Sequence, residues 1–265
     1  MVPCDILLVT PPTIAKLRQS ADQRAASRDG YIPPLGLGYL AARLEQAGYC
    51  VDLLDMQAEG VRGTDIAPLV QERQPRVVGI STMVVTYGNA LRVACLVKKA
   101  LPTAKVVIGG PQATFLVEET LACLAVDVLV CYEGEETLVE LMHHYDGDGP
   151  ALEHIRGIAF RDGDRIHQTE QRPLITELDS LPFPSRHLFK ASLYTKPGVL
   201  ITARGCPSQC IFCAANALYP GKKRYRARSP QAVVDEIGEL VEYYGVGEFF
   251  IADDAFTLQP ERAME

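Results

Sequence analysis

Five short apolar runs, each followed by a stretch with helical spacing, recur through the first 145 residues. The runs cover 5–10, 51–54, 77–81, 105–108 and 126–130. The helical stretches cover 35–47, 66–72, 87–100, 115–124 and 136–144. In 35–47, Leu37, Leu40, Ala41 and Leu44 repeat at the period of one helix face, and Gly48 supplies a stop. Strands alternating with helices cannot pair as hairpins. They cross over and build a parallel, doubly wound α/β sheet with helices on both faces. Ligands of such sheets bind at the carboxyl ends of the strands, so the strand-end loops are the first candidates for function.

Those loops are rich in Gly, Pro and small polar residues. The first strand runs into Thr10, Pro11 and Pro12, then a long loop that returns at Tyr31-Ile32-Pro33-Pro34-Leu35-Gly36. The third ends at Ser81, Thr82, Met83 and Val84. The fourth ends at Gly109, Gly110, Pro111 and Gln112. The fifth leads through Tyr132 into Glu133, Gly134 and Glu135. Glycine lets a ligand approach the backbone, although βα turns also use glycine for geometry alone. No Gly-x-Gly-x-x-Gly and no Walker loop follows the first strand, which argues against dinucleotide or ATP binding. A flavodoxin-like FMN site is the simplest rival for this sheet.

Downstream, Arg204-Gly205-Cys206-Pro207-Ser208-Gln209-Cys210-Ile211-Phe212-Cys213 spaces three thiols as C-x3-C-x2-C. Thiolates are soft ligands for iron–sulfur clusters, zinc and Cu(I). Structural zinc takes four ligands, and no His or further Cys follows Cys213. Three Cys on a cubane leave one iron open to a substrate or cofactor.

This run resembles the signature of the radical S-adenosylmethionine (SAM) superfamily, down to Phe212 before the last Cys. Upstream, the Pro-Pro at 11–12, the run at 34–42, Gly-Ile-Ser at 79–81, Gly-Gly-Pro at 109–111 and Glu-Gly-Glu at 133–135 resemble the cobalamin-binding domain of a large branch of that superfamily. Tyr132 departs from it, since the family commonly has Gly there. The resemblance implies a flavodoxin-like Rossmann domain over 1–145, a connector over 146–197 and the first βα units of a radical SAM partial (β/α)6 barrel over 198–265. It implies a [4Fe-4S] cluster on Cys206, Cys210 and Cys213, and S-adenosyl-L-methionine beside Phe212, Asp253 and Asp254. It implies cobalamin cradled by Thr10, Pro11, Pro12, Leu35, Gly36, Ser81, Thr82, Met83, Val84, Gly109, Gly110, Gln112, Glu133, Gly134 and Glu135. Asp253 and Asp254 serve equally well as caps of the turn that follows them. No Asp-x-His-x-x-Gly occurs among the five His contexts, so cobalamin is expected without a His below the cobalt.

By the same resemblance, a deoxyadenosyl radical takes a hydrogen from a small-molecule substrate, which then receives methyl from methylcobalamin. A reductant such as flavodoxin or ferredoxin is implied. The expected activity is methyl transfer to an unactivated carbon or phosphorus centre. Cyclisation or rearrangement on the same architecture is the alternative, as is a binding module without catalysis. A family barrel has about six βα units and two begin here, so the chain reads as part of a longer enzyme.

In the connector, Gly163 within 162–164 marks a β-hairpin turn, and the prolines of 179–184 stiffen a linker. Ser229-Pro230 opens a helix to 244, and 247–252 reads as a strand. The basic run at 222–228 reads as a solvated loop or a seat for an anionic group. Net charge is −7, which gives no global attraction for nucleic acid. No apolar run reaches the length of a membrane span, no signal peptide is read, and the eight Cys fit a reducing, cytoplasmic setting. Outside the three-Cys run, Cys4, Cys50, Cys95, Cys123 and Cys131 read mostly as small apolar residues.

Overall fold

A computed structural model describes residues 4–13, 32–219 and 225–265. Tyr31, Lys222, Lys223 and Arg224 lie outside the described residues. The first sheet is built from β1 (Ile6–Thr10), β2 (Val51–Asp55), β3 (Val77–Ser81), β4 (Lys105–Gly109) and β5 (Val128–Val130), all parallel to their neighbours. The helices are α1 (Leu35–Gln46), α2 (Ile66–Arg73), α3 (Tyr87–Ala100), the short α4 (Pro111–Phe115) and α5 (Val117–Leu121), and α6 (Glu135–Asp146). The single helix expected over 115–124 is therefore two pieces starting earlier. Pro111 sits in the first turn of α4, where its missing N–H costs nothing.

Successive side chains of a strand point to opposite faces, and here both faces are covered. Leu7 and Val9 enter one core with Val78, Ile80, Val106, Ile108 and Leu129. Ile6 and Leu8 enter the other with Val77, Val107, Val128 and Val130. This explains why the strands read as continuous apolar runs rather than alternating ones.

The sheet is larger than the expected five strands. The hairpin β6 (Ile158–Asp162) and β7 (Arg165–Gln168) is not a free connector. It adds antiparallel to β5, with Leu129 opposite Ala159, and gives the order β2-β1-β3-β4-β5-β6-β7. A hairpin beside an unpaired parallel edge satisfies that edge's backbone groups, a pairing that local spacing does not reveal. Beyond the hairpin, Arg172 of the connector bonds Thr137 and Glu140 of α6, and the segment at 184–187 lies on α1. Ser185 N–H donates to the Gly38 carbonyl at 3.0 Å, and a Cβ on Gly38 would meet Pro184 Cβ at 2.9 Å.

Beyond it come β8 (Val199–Leu200), β9 (Ala203–Arg204), α7 (Ala215–Leu218), β10 (Arg226–Ala227), α8 (Pro230–Tyr244), β11 (Phe250–Ile251) and α9 (Pro260–Met264). β8 and β11 pair in parallel, as two βα units should. Ser229 Oγ accepts from Ala232 N–H at 3.2 Å, the expected N-cap of α8. The strand expected over 199–202 breaks after Leu200, and β9 turns to pair antiparallel with β10. β9 and β10 thus form a neck at the two ends of the three-Cys loop.

Candidate functional site

A cavity of about 330 Å³ opens where the carboxyl ends of the first sheet face β8, β9 and β11. Its lining is mostly apolar. Gly36, Ser81, Gly109, Gly110, Glu133, Gly134, Glu135 and Asp254, all expected from the family resemblance, line it. Thr10, Pro11, Pro12, Leu35, Thr82, Met83, Val84, Gln112 and Asp253 do not line it. Leu35 is core. Thr82 is fully buried and donates its hydroxyl to the Gly109 carbonyl, which locks the β3 and β4 ends together. Met83, Val84 and Val85 are at least half exposed, an apolar patch on the loop that follows Ser81. Asp253 is spent on structure, since its carboxylate accepts from the N–H of Thr202 and Ala203 and from the Thr202 hydroxyl. Asp253 thus holds the backbone at 202–203 rather than capping the turn that follows it, and Asp254 faces the cavity.

Spacing and periodicity gave no sign of the charge network beneath the cavity. Arg204, the residue that opens the three-Cys run, sits between Glu133 at 3.0 Å and Glu135 at 2.7 Å, and its guanidinium lies over the Tyr39 ring at 5.1 Å. Arg226 is the register partner of Arg204 across the neck, and it bonds both oxygens of Glu133 at 2.8 Å. Like charges opposite each other in a ladder repel, and Glu133 between them removes the repulsion. Burial works against the Arg204 charge, and Glu135 and Glu133 more than offset it, so its pKa is raised. The basic run is thus corrected in part: Arg226 and Arg228 are buried, not solvated. Arg228 shares Glu236 of α8 with Arg186 of the connector, all three at most 5% exposed.

Tyr132 lines the cavity at φ +64°, the left-handed region that costs a side chain about 1–2 kcal/mol. This backbone angle is the physical reason for glycine at that position. Tyr132→Gly is expected to be more stable than Tyr132→Ala by about 1 kcal/mol in urea unfolding, the reverse of the usual order of these two residues.

The three thiols are free. Cys206 is half-buried, and Cys210 and Cys213 are exposed with Ile211 and Phe212. A single tetrahedral ion at Zn–S of 2.3 Å holds its thiolates roughly 3.8 Å apart. Among the described residues the donor atoms gathered within 4.8 Å of one another belong to His143, Asp146 and Asp148, not to this loop. By donor chemistry, three soft thiolates on one short loop suit an iron–sulfur cluster. Tyr39 is among the lining residues; its hydroxyl is buried with no partner among the described residues, and burial pushes its pKa up to about 12.

Residues 23–142 match the family model described as B12 binding domain, and residues 200–265 match that of the radical SAM superfamily. The chain thus joins a region that matches the B12 binding domain to one that matches the radical SAM superfamily. It is 35% identical over 98% of its length to an uncharacterized methyltransferase of Pyrococcus horikoshii, of which it covers 55%. It is 34% identical over 89% of its length to an anaerobic magnesium-protoporphyrin IX monomethyl ester cyclase of Cereibacter sphaeroides, of which it covers 40%. The chain therefore spans about half the length of these curated relatives. The radical S-adenosylmethionine methyltransferase TsrM of Kitasatospora setae, solved with cobalamin and a [4Fe-4S] cluster, superposes with a TM-score of 0.74 at 18% identity, over 97% of this chain and 49% of that one. Among the described residues no helix is long and apolar enough to cross a membrane.

Proposed function

We propose that this chain carries the cofactor-binding part of a cobalamin-dependent radical SAM methyltransferase. The observation that carries the reading is one cavity bounded both by the strand ends of the B12-type sheet and by Arg204, next to the three-thiol loop. Cys206, Cys210 and Cys213 hold the cluster. Asp254 and the backbone at 201–203 border the space for SAM. Gly36, Ser81, Gly109, Gly110 and Gly134 leave backbone surface for the corrinoid. Glu133 and Glu135 act through Arg204, orienting the loop rather than touching the corrinoid. When bound, the cluster with SAM supplies a one-electron reduction that opens radical chemistry, and cobalamin supplies a transferable methyl group. The residues of this chain orient the two and exclude water from the space between them. The substrate is a small molecule, and a flavodoxin- or ferredoxin-like protein supplies electrons. The identity to the cyclase favours ring formation as the second reading.

The test is anaerobic reconstitution of the chain beside its Cys206, Cys210 and Cys213 triple Ala variant, each with hydroxocobalamin. About four irons per chain are expected in the parent alone, with a corrinoid absorption band retained in both after desalting. Iron without corrinoid would remove methylcobalamin from the scheme. Corrinoid without iron would leave a B12-binding module. Methyl transfer separates from ring formation when methylated product from labelled SAM is sought with the candidate substrates.

A further inference from the structure

Two thiols outside the cavity touch each other. Cys95, exposed on α3, places its Sγ 3.7 Å from Sγ of half-buried Cys123, just beyond α5. Neither residue lines the cavity. The backbone under Cys123 is held from several sides. Cys123 N–H donates to the Thr120 carbonyl, and Val126 N–H donates to the Cys123 carbonyl. Arg161 of β6 reaches across and donates to the carbonyls of Leu121 at 2.5 Å and Val126 at 2.6 Å, with longer bonds to Cys123 and Leu124. On the other side, α3 is anchored by Val93, Ala94 and Val97 in the core, and the Tyr87 hydroxyl bonds Thr120 Oγ1 at 3.0 Å. Two rigid supports therefore present a pair of thiols to solvent at contact distance. Two sulfurs in a disulfide lie about 2.05 Å apart, so closure needs an approach of roughly 1.7 Å.

We propose that Cys95 and Cys123 form a dithiol site that low-molecular-weight disulfides oxidise to an intramolecular disulfide. In the first step one Cys thiolate attacks a sulfur of the reagent, leaving a mixed disulfide and releasing one reagent thiolate. In the second step the other Cys thiolate attacks the protein sulfur of that adduct and expels the second reagent thiolate. The two protein thiols give up two protons and two electrons, and the reagent ends as two thiols. Reduction by a dithiol reverses the sequence. The site stands apart from the cofactor reading and holds whether or not cobalamin binds.

Burial and the hydrogen bond to Cys123 raise the Cys95 thiol above its ordinary pKa. A raised pKa means less thiolate at neutral pH. Closure is therefore slow near pH 7 and speeds up as pH rises, by about tenfold per unit while the thiol remains mostly protonated.

The experiment treats the full chain, purified anaerobically, with oxidised glutathione, quenches with acid and maps tryptic peptides by mass. The expected product joins peptide 93–98 to peptide 106–156 with the loss of two hydrogens. Fragmentation assigns the link to Cys123 rather than Cys131, which is buried. Cys95→Ser and Cys123→Ser should each abolish the link and leave glutathione on the remaining thiol. The oxidised chain should melt about 5 °C above the oxidised Cys95→Ser variant, because a closed loop limits the unfolded chain. Separate glutathione adducts on both Cys of the parent would overturn the proposal. So would a link from either thiol to Cys50 or to the 206–213 loop.

Discussion

Arg204→Ala should destabilise the chain by about 3 kcal/mol, the usual cost of removing one partner of a buried ion pair. Glu133 keeps Arg226, but Arg204 is the guanidinium that faces Glu135, which is 5% exposed. The variant therefore leaves an uncompensated carboxylate inside the protein. Urea unfolding followed by far-UV circular dichroism reads the loss as a lower midpoint. Adding Glu135→Gln should return at least about 1 kcal/mol, because the stranded charge is gone. If the double variant is as unstable as the sum of the singles, the pair is not coupled and the clamp does not exist. Arg204→Lys should recover little, since a single ammonium cannot meet two carboxylates with the fixed fork of a guanidinium. There is a functional readout as well. Arg204 lies two residues before Cys206, so the variant should retain less iron after reconstitution and desalting than its folded fraction accounts for.

Glu236→Ala is expected to act at the other junction and to cost about 3–5 kcal/mol. It leaves Arg186 and Arg228 facing each other in the interior, where the carbonyls of Pro197, Val199, Ile201 and Ala232 remain as acceptors among the described residues. These two arginines come from the connector and from the segment between β10 and α8, so their repulsion pulls apart the docking of 186–240. Hydrogen exchange should show that loss concentrated in α8 and β8, with the first sheet protected as before. Glu236→Gln keeps one acceptor oxygen, turns an NH2 donor toward the other arginine and removes the charge, and should fall between the parent and the Ala variant. A uniform loss of protection across both sheets would mean that the triad is no local fastener.

The lesson of both junctions is where sequence reading loses its grip. The basic run at 222–228 has no periodicity of its own, and a local reading assigns Arg226 and Arg228 to solvent. Their carboxylate partners lie 93 and 8 residues away, and only the fold brings the distant one close. Glu133 and Glu135 likewise looked like ligand contacts because they stand at a strand's carboxyl end. The carboxyl end was correctly located, but what Glu133 meets there is the arginine pair of β9 and β10. Asp253 and Asp254 are adjacent and chemically identical, yet one caps the backbone at 202–203 and the other faces the cavity. The path of the chain just beyond β11 separates them, and no composition rule does.

By itself, the sequence determined the alternation of apolar strands and amphipathic helices, hence a parallel sheet with its site at the strand ends. It also determined the thiol triplet, because spacing along a short loop is local chemistry. Local patterns suffice for those because hydrophobic burial and metal softness are properties of single segments. The added hairpin, the left-handed Tyr132, the shared carboxylates and the Cys95–Cys123 contact were decided by tertiary structure. Each depends on groups that are remote in the chain and meet only when both faces of the sheet have been covered.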